Sequence, residues 1–171
     1  RAKLKYLSID IASDRAKGDI YSSMAIKLTN FMQESVAKMS IYNDLDMTEL
    51  GFGKQPIAVF IMVPDYEKSM HNLVSIFISQ SYYMLAKKCD EYVKCQRPVR
   101  YILNEFGNIP KIENMANIVT VCLGRNITFD LYIQSTKQIE TLYGKDAATI
   151  MTNCGNQIYL MGNDTDSAEY F

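Results

Sequence analysis

The sequence has a single histidine, His71, and no excess of either charge. Eighteen Lys and Arg stand against nineteen Asp and Glu, a net charge of −1. Without a basic surplus nothing global advertises nucleic-acid binding, so any such surface is local or comes from elsewhere. The longest unbroken apolar run, Ile57 to Val63, is far too short to cross a bilayer. No signal-peptide pattern is read at the start: Arg1 to Lys5 is basic, but no apolar core follows. Metal-ligand spacing is missing as well. Cys89 and Cys95 stand wider apart than in a zinc knuckle, and one histidine adds little ligand supply. The four cysteines therefore read as ordinary thiols of a reducing compartment. There is no G-x-S-x-G, and no Cys or Ser with a usable His. Nor is there a G-x-x-x-x-G-K-[ST] phosphate loop. Gly51-Phe52-Gly53-Lys54 is glycine-rich, but Gln55-Pro56 follows where Ser or Thr and a helix are needed. Without such a cradle, triphosphate binding by this chain alone should be very weak.

What remains is ample for a folded core. The 171 residues are 48% hydrophobic and 22% charged, which excludes a disordered chain. There is no internal repeat. The absence of an initiator Met, and the helix-like opening at Asp164 to Phe171, lead us to expect a fragment of something longer.

The pattern divides near Gly51-Phe52-Gly53. Before it, Ile20, Met24, Leu28, Phe31, Met32, Val36 and Met39 recur at helical steps and predict one helix over about 19–39, with Asp19 as its N-cap. A weaker helical pattern covers Lys3 to Ile11. Residues 40–56 read as a connection with one helical turn at Met47–Leu50.

After it, strands and helices alternate. Ile57 to Val63 predicts a strand covered on both faces, stopped by Pro64-Asp65. A long helix follows, about Glu67 to Tyr92, with Leu73, Ile76, Phe77, Gln80, Met84 and Leu85 on its inner side. Then come a strand at Val99–Leu103, a helix at Ile112–Leu123, a strand at Ile127–Ile133, short helices at Lys137–Tyr143 and Asp146–Met151, and a fourth strand at Gln157–Met161. This alternation predicts an α/β fold with a mostly parallel sheet, preceded by a helical segment.

In a parallel sheet, ligands bind beyond the carboxyl ends of the strands. Polar residues collect there: Asp65, Asn104-Glu105, Gln134-Ser135-Thr136 and Gly162-Asn163-Asp164. Glu105 is placed to polarise a water or to bind a Mg²⁺ water shell in nucleotide hydrolysis, or is a solvated loop acid; pattern does not separate the two. Gln134 could sense a terminal phosphate or cap the next helix. Arg125 falls at the opposite edge from Glu105, so any phosphate it touches would lie in a neighbour's site. Spacing by itself favours a surface arginine closing a helix C-terminus. His71 reads as a packing or surface histidine. Tyr82-Tyr83 could stack on bases, but half-buried core aromatics suit an apolar helix better.

Five segments in succession carry a family likeness: Asn72-Leu73-Val74-Ser75-Ile76-Phe77-Ile78-Ser79-Gln80; Tyr101-Ile102-Leu103-Asn104-Glu105-Phe106-Gly107-Asn108-Ile109-Pro110-Lys111-Ile112; Gly124-Arg125-Asn126-Ile127; Ile133-Gln134-Ser135; and Asn153-Cys154 closing on Tyr159-Leu160-Met161-Gly162. The succession resembles the VirD4/TraG family of type IV secretion coupling proteins, in particular Gram-positive forms. The likeness runs from about residue 15 to the end and is strongest from 57 onward.

That resemblance implies a membrane-anchored, hexameric, RecA-like P-loop ATPase at the cytoplasmic face of a bacterial cell membrane. Such a protein uses ATP and Mg²⁺ to pass relaxase-bound single-stranded DNA to the channel proteins of the secretion system. It implies that residues 1–50 are the end of an all-α insertion domain. Residues 51–171 would be the C-terminal portion of the nucleotide-binding domain, its Walker A strand lying outside this chain. The fragment itself would be soluble and inactive alone. By position, Leu103-Asn104-Glu105 matches the Walker B pair, with Glu105 activating water, Gln134 and its neighbour Ser135 at the nucleotide, and Arg125 acting across a subunit boundary. The family has Asp where this chain has Asn104. Asn keeps a carbonyl acceptor but loses the charge that orders Mg²⁺ waters, which puts the metal role of Asn104 in doubt. A non-catalytic docking module that recruits the relaxosome is therefore the alternative. A chance likeness of an unrelated α/β domain is a third.

Overall fold

The computed structural model describes residues 13–28, 34–64, 66, 68–160 and 165–171. The expectations for Lys3 to Ile11, Phe31, Met32, Asp65 and Gly162-Asn163-Asp164 lie outside these residues. The chain divides into two compact units, Arg1–Asp44 and Leu45–Phe171.

The first unit holds α1 (Asp14–Leu28) and α2 (Glu34–Ser40). The start expected for a helix over 19–39, with Asp19 as its N-cap, is corrected here; residues 29–33 of that expectation lie outside the described residues. The helix begins five residues earlier, because Ser13 supplies the cap: its Oγ accepts the N–H of Ala16 at 3.4 Å. Asp19 lies inside the helix instead. Of the expected apolar stripe, Val36 is buried, whereas Ile20, Met24, Leu28 and Met39 are exposed.

The second unit opens with a short helical turn, α3 (Glu49–Phe52), followed by the long α4 (Lys68–Tyr92), β1 (Val99–Leu103), α5 (Met115–Val121), β2 (Ile127–Leu131), α6 (Thr136–Tyr143), α7 (Asp146–Thr152) and α8 (Thr165–Tyr170). Among the described residues the sheet has two strands. β1 and β2 run parallel in the register Val99↔Ile127 to Leu103↔Leu131. The parallel direction and the Val99–Leu103 strand agree with the sequence pattern, and the other strand starts at Ile127 as expected but ends at Leu131 rather than Ile133.

The two outer strands do not follow the pattern. Residues 57–63 and 157–160 lie outside any strand, and residues 57–62 and 157–158 face solvent, as does Leu160. An apolar run becomes a strand only when neighbouring backbone takes up its N–H and C=O groups. The described chain presents no ladder for either run.

The sheet has one covered face. Val99, Leu103 and Ile127 are buried, with Tyr101, Phe129 and Leu131 packed against the core, while Arg100, Ile102 and Thr128 point the other way. On that outer side Arg100 Nε pairs with the Asp130 carboxylate. The inner side meets α4. Tyr101 stacks on Phe129 with centroids 4.7 Å apart, and Phe129 lies 6.3 Å from the Tyr82 ring.

The buried stripe of α4 is Ser75, Ile78, Ser81, Tyr82, Leu85 and Cys89. This corrects the expected inner face in part: Leu85 is buried and Leu73 and Phe77 are partly buried, whereas Ile76, Gln80 and Met84 are exposed. Two serines lie in the stripe because their hydroxyls are satisfied there. Ser75 Oγ donates to the Asn72 carbonyl, and Ser81 Oγ lies 3.0 Å from the Ile78 carbonyl and 2.9 Å from the Tyr101 hydroxyl. Burial pushes the Tyr101 hydroxyl up to about 12, a shift the Ser81 hydrogen bond opposes. The tyrosine pair is split: Tyr82 is core and Tyr83 is exposed.

Below the sheet, Met115, Ile118 and Val119 of α5, Ile139 and Tyr143 of α6, and Ala147 and Ile150 of α7 complete the core. Cys89 and Cys95 are free and buried, with sulfurs 3.7 Å apart; burial drives the Cys95 thiol up to about 12. Among the described residues no helix is long and apolar enough to cross a membrane.

Candidate functional site

Because β1 and β2 run in the same direction, the loops that follow them leave from one rim. Two backbone hydrogen bonds extend the pairing past the strands: Tyr132 N–H to the Leu103 carbonyl (3.1 Å) and Phe106 N–H to the Tyr132 carbonyl (2.8 Å). They draw residues 104–106 and 132–134 together.

Between them Glu105 adopts a left-handed backbone, φ 52° and ψ 42°, at the head of the 3-10 turn Phe106–Asn108. A side chain with Cβ pays for that conformation. Here the turn sends the Phe106 ring inward, where it is fully buried and stacked on Tyr143 at 5.5 Å, and leaves the Glu105 carboxylate on the open rim. Tyr143 is held in turn by its hydroxyl, which accepts the Ile112 N–H.

The carboxylate of Glu105 faces three amide contacts. Gln134 Nε2 lies 3.1 Å from Oε1 and 3.0 Å from Oε2, and Asn108 Nδ2 donates to Oε2 at 3.1 Å. Glu105 and Gln134 are 29 residues apart in sequence and meet only through the parallel pairing. Gln134 is steadied from behind, since its own N–H donates to Gln138 Oε1 at 3.0 Å. Ser135 is the N-cap of α6 and accepts the Lys137 N–H through its Oγ, at 3.2 Å. The next N–H, of Thr136, is met by the buried Ser167 Oγ from α8.

Asn104 sits exposed in the turn directly after β1. Asn104, Glu105, Gln134 and Ser135 therefore share one rim. Arg125 does not. It precedes β2 at the far end of the sheet, where its Nη1 donates to the Tyr82 hydroxyl at 3.2 Å and its carbonyl accepts the Cys95 N–H. Burial raises the Tyr82 hydroxyl, and the Arg125 guanidinium opposes that shift. This is the separation from Glu105 that strand order implied.

Three residues of the rim are not evident from sequence pattern. Asn108 returns to the carboxylate from the same 3-10 turn. Gln138 belongs to Ser135-Thr136-Lys137-Gln138, an S-x-x-Q helix-start signature, and that motif was the available signal. His71 was read only as a packing or surface residue. Its Nε2 is 3.1 Å from the Pro64 carbonyl oxygen and its Nδ1 3.5 Å from that of Asn108, so it ties α4 to this turn.

Chemically the rim offers one carboxylate, oriented by amides, with no competing acid drawn against it among the described contacts. Such a group can take a proton from water, and the amide beside it can donate to an anionic oxygen. Among the described residues, no three His, Cys, Asp or Glu side chains converge as metal ligands.

Residues 98–171 match the family described as the TraM recognition site of TraD and TraG. Over 41 residues the chain is 49% identical to an uncharacterized protein of Bacillus anthracis, a match that covers 24% of this chain and 15% of that protein. No solved structure matches the chain.

Proposed function

We propose, from the match of residues 98–171 to the family described as the TraM recognition site of TraD and TraG, that the chain is the nucleotide-hydrolysing half of the ATPase domain of a TraG/TraD-type conjugation coupling protein. On this reading the fold is RecA-like, and the phosphate-holding Walker A loop comes from outside these 171 residues. The whole protein is a membrane-associated hexamer that moves single-stranded DNA and its relaxase into a secretion channel. A TraM-like relaxosome protein is its recognition partner, following the matched family's description.

The observation that carries this is the contact of Gln134 with Glu105 at the shared carboxyl end of β1 and β2. The residues present suit one side of an ATP·Mg²⁺ site. They supply a base and an amide, and the cationic cradle is absent from the sequence. When bound, ATP supplies the phosphoanhydride and Mg²⁺ neutralises charge on its phosphates. Glu105 then accepts a proton from the attacking water. Gln134 holds that carboxylate until a terminal phosphate competes for its amide, which couples occupancy to the freeing of the base. Asn104 offers a neutral acceptor to the metal's waters. Arg125, at the opposite end of the sheet, serves a neighbouring subunit.

The test is ATP turnover by the coupling protein that carries this chain. Replacing a positioned general base costs about 100-fold or more, so Glu105→Gln should fall by at least that and trap bound nucleotide. Unchanged turnover removes Glu105 from the mechanism. One feature favours a second reading, a docking module with a degenerate site: Asn104 stands where the resembling family has Asp. A large gain in turnover in Asn104→Asp supports it.

A further inference from the structure

The contact that carries the proposed function has a support behind it. The N–H of Gln134 donates to Gln138 Oε1, and Gln138 is also the residue against which the Glu105 turn rests. A Cβ on Gly107 would lie 2.6 Å from Gln138 Oε1 and 2.7 Å from both its Cβ and its Cδ. No real side chain is tolerated that close, and rotating the Gln138 amide would not relieve it, because its Cβ is fixed by the helix backbone. Gly107 therefore lets the 3-10 turn sit directly on the first turn of α6. The Glu105 loop and the Gln134 loop meet at two points: the carboxylate–amide contact at the rim and this close approach beneath it.

The capping pattern explains why Gln138 is free for the task. Ser135 is the N-cap and Gln138 is three residues on. In the usual reciprocal box the side chain at that position returns to the N–H of the cap residue itself. Here it reaches one residue further back, to Gln134. The side-chain oxygen that would merely close a helix instead fixes the backbone of the residue facing Glu105.

We infer that Gln138 and Gly107 are positioning residues for the Glu105–Gln134 pair: Gln138 anchors the Gln134 backbone, and Gly107 sets the distance between the two loops. Neither touches the reacting atoms. The inference rests on the hydrolytic reading above, and its test separates the two.

In the same coupling protein, Gln138→Ala, Gln138→Glu and Gly107→Ala are compared with Glu105→Gln. Turnover is resolved into kcat and KM, and hydrogen exchange is followed at the Gln134 amide. Gln138→Ala should speed that exchange about fivefold or more, as expected for one lost hydrogen bond. It should also lower kcat about tenfold with KM little changed, because small misplacements at a reacting centre cost rate rather than binding. Gln138→Glu keeps an acceptor oxygen and should restore both. Gly107→Ala should lower kcat in the same way; if that variant fails to fold, the Gln138 pair decides. Unaltered exchange in Gln138→Ala overturns the inference. So does altered exchange with unaltered kcat in a protein that Glu105→Gln inactivates. Full turnover in Glu105→Gln overturns the hydrolytic reading instead, and with it the role in rate, while the exchange measurement still decides whether Gln138 anchors Gln134.

Discussion

At position 105, glycine should be a better residue than alanine for the stability of this chain. Both substitutions remove the carboxylate and with it the contacts from Gln134 and Asn108. That common loss cancels in the comparison. What differs is the backbone, held at φ 52° and ψ 42°, close to the centre of the left-handed region. For an L-residue with Cβ that conformation costs roughly 1–2 kcal/mol, and glycine escapes it. Glycine gives part of this back, because its unfolded chain has more freedom to lose. The expected net is a Glu105→Gly variant about 1 kcal/mol more stable than Glu105→Ala. For a chain of this length that is about 2–4 °C in Tm. Urea unfolding of the two variants, followed by circular dichroism, measures it. Equal midpoints, or a more stable alanine variant, would refute the claim that the carboxylate is delivered to the rim by a strained turn. The parent residue is then a compromise: glycine would relieve the backbone at this position but could not accept a proton.

Two other expectations concern the support of that turn. Phe106→Ala removes a fully buried ring stacked on Tyr143 and should cost about 3–5 kcal/mol in urea unfolding; a cost below about 1 kcal/mol would show that the ring is not the turn's anchor. The second is a pH dependence. Burial raises the Cys95 thiol and the Tyr101 hydroxyl to about 12, each from a lower ordinary value. A group raised by folding contributes stability that is whole below its unfolded value and disappears as pH climbs through the folded one. The urea midpoint should therefore decline between the ordinary thiol value of 9.0 and about 12, and a flat profile there would contradict the burial of both groups.

How far the sequence could be read differs from element to element. The Val99–Leu103 strand matched to the residue, and the long helix to within one residue of its start. In each case local signals agree: an alternating apolar run after Pro98, and helical spacing sustained over six turns. The same apolar logic failed at Ile57 to Val63, where composition says strand but, among the described residues, no backbone pairs with the run. It also failed on the inner face of α4. There Ser75 and Ser81 are buried with their hydroxyls on carbonyls of their own helix, and Ser81 also meets the Tyr101 hydroxyl, a partner that no window of α4 contains.

The sequence by itself determined that Glu105 and Gln134 each follow a strand, that no phosphate loop accompanies them, and that Asn104 carries no charge. All of these are properties of residue identity and short-range order. Only the tertiary structure decided that the two side chains touch, that Asn108 joins them, that Gln138 stands behind Gln134, and that Arg125 lies at the other end of the sheet. These depend on which backbones run side by side. The left-handed turn at 105 and the bare Gly107 against α6 matter only once β1 and β2 have set their loops a few ångströms apart.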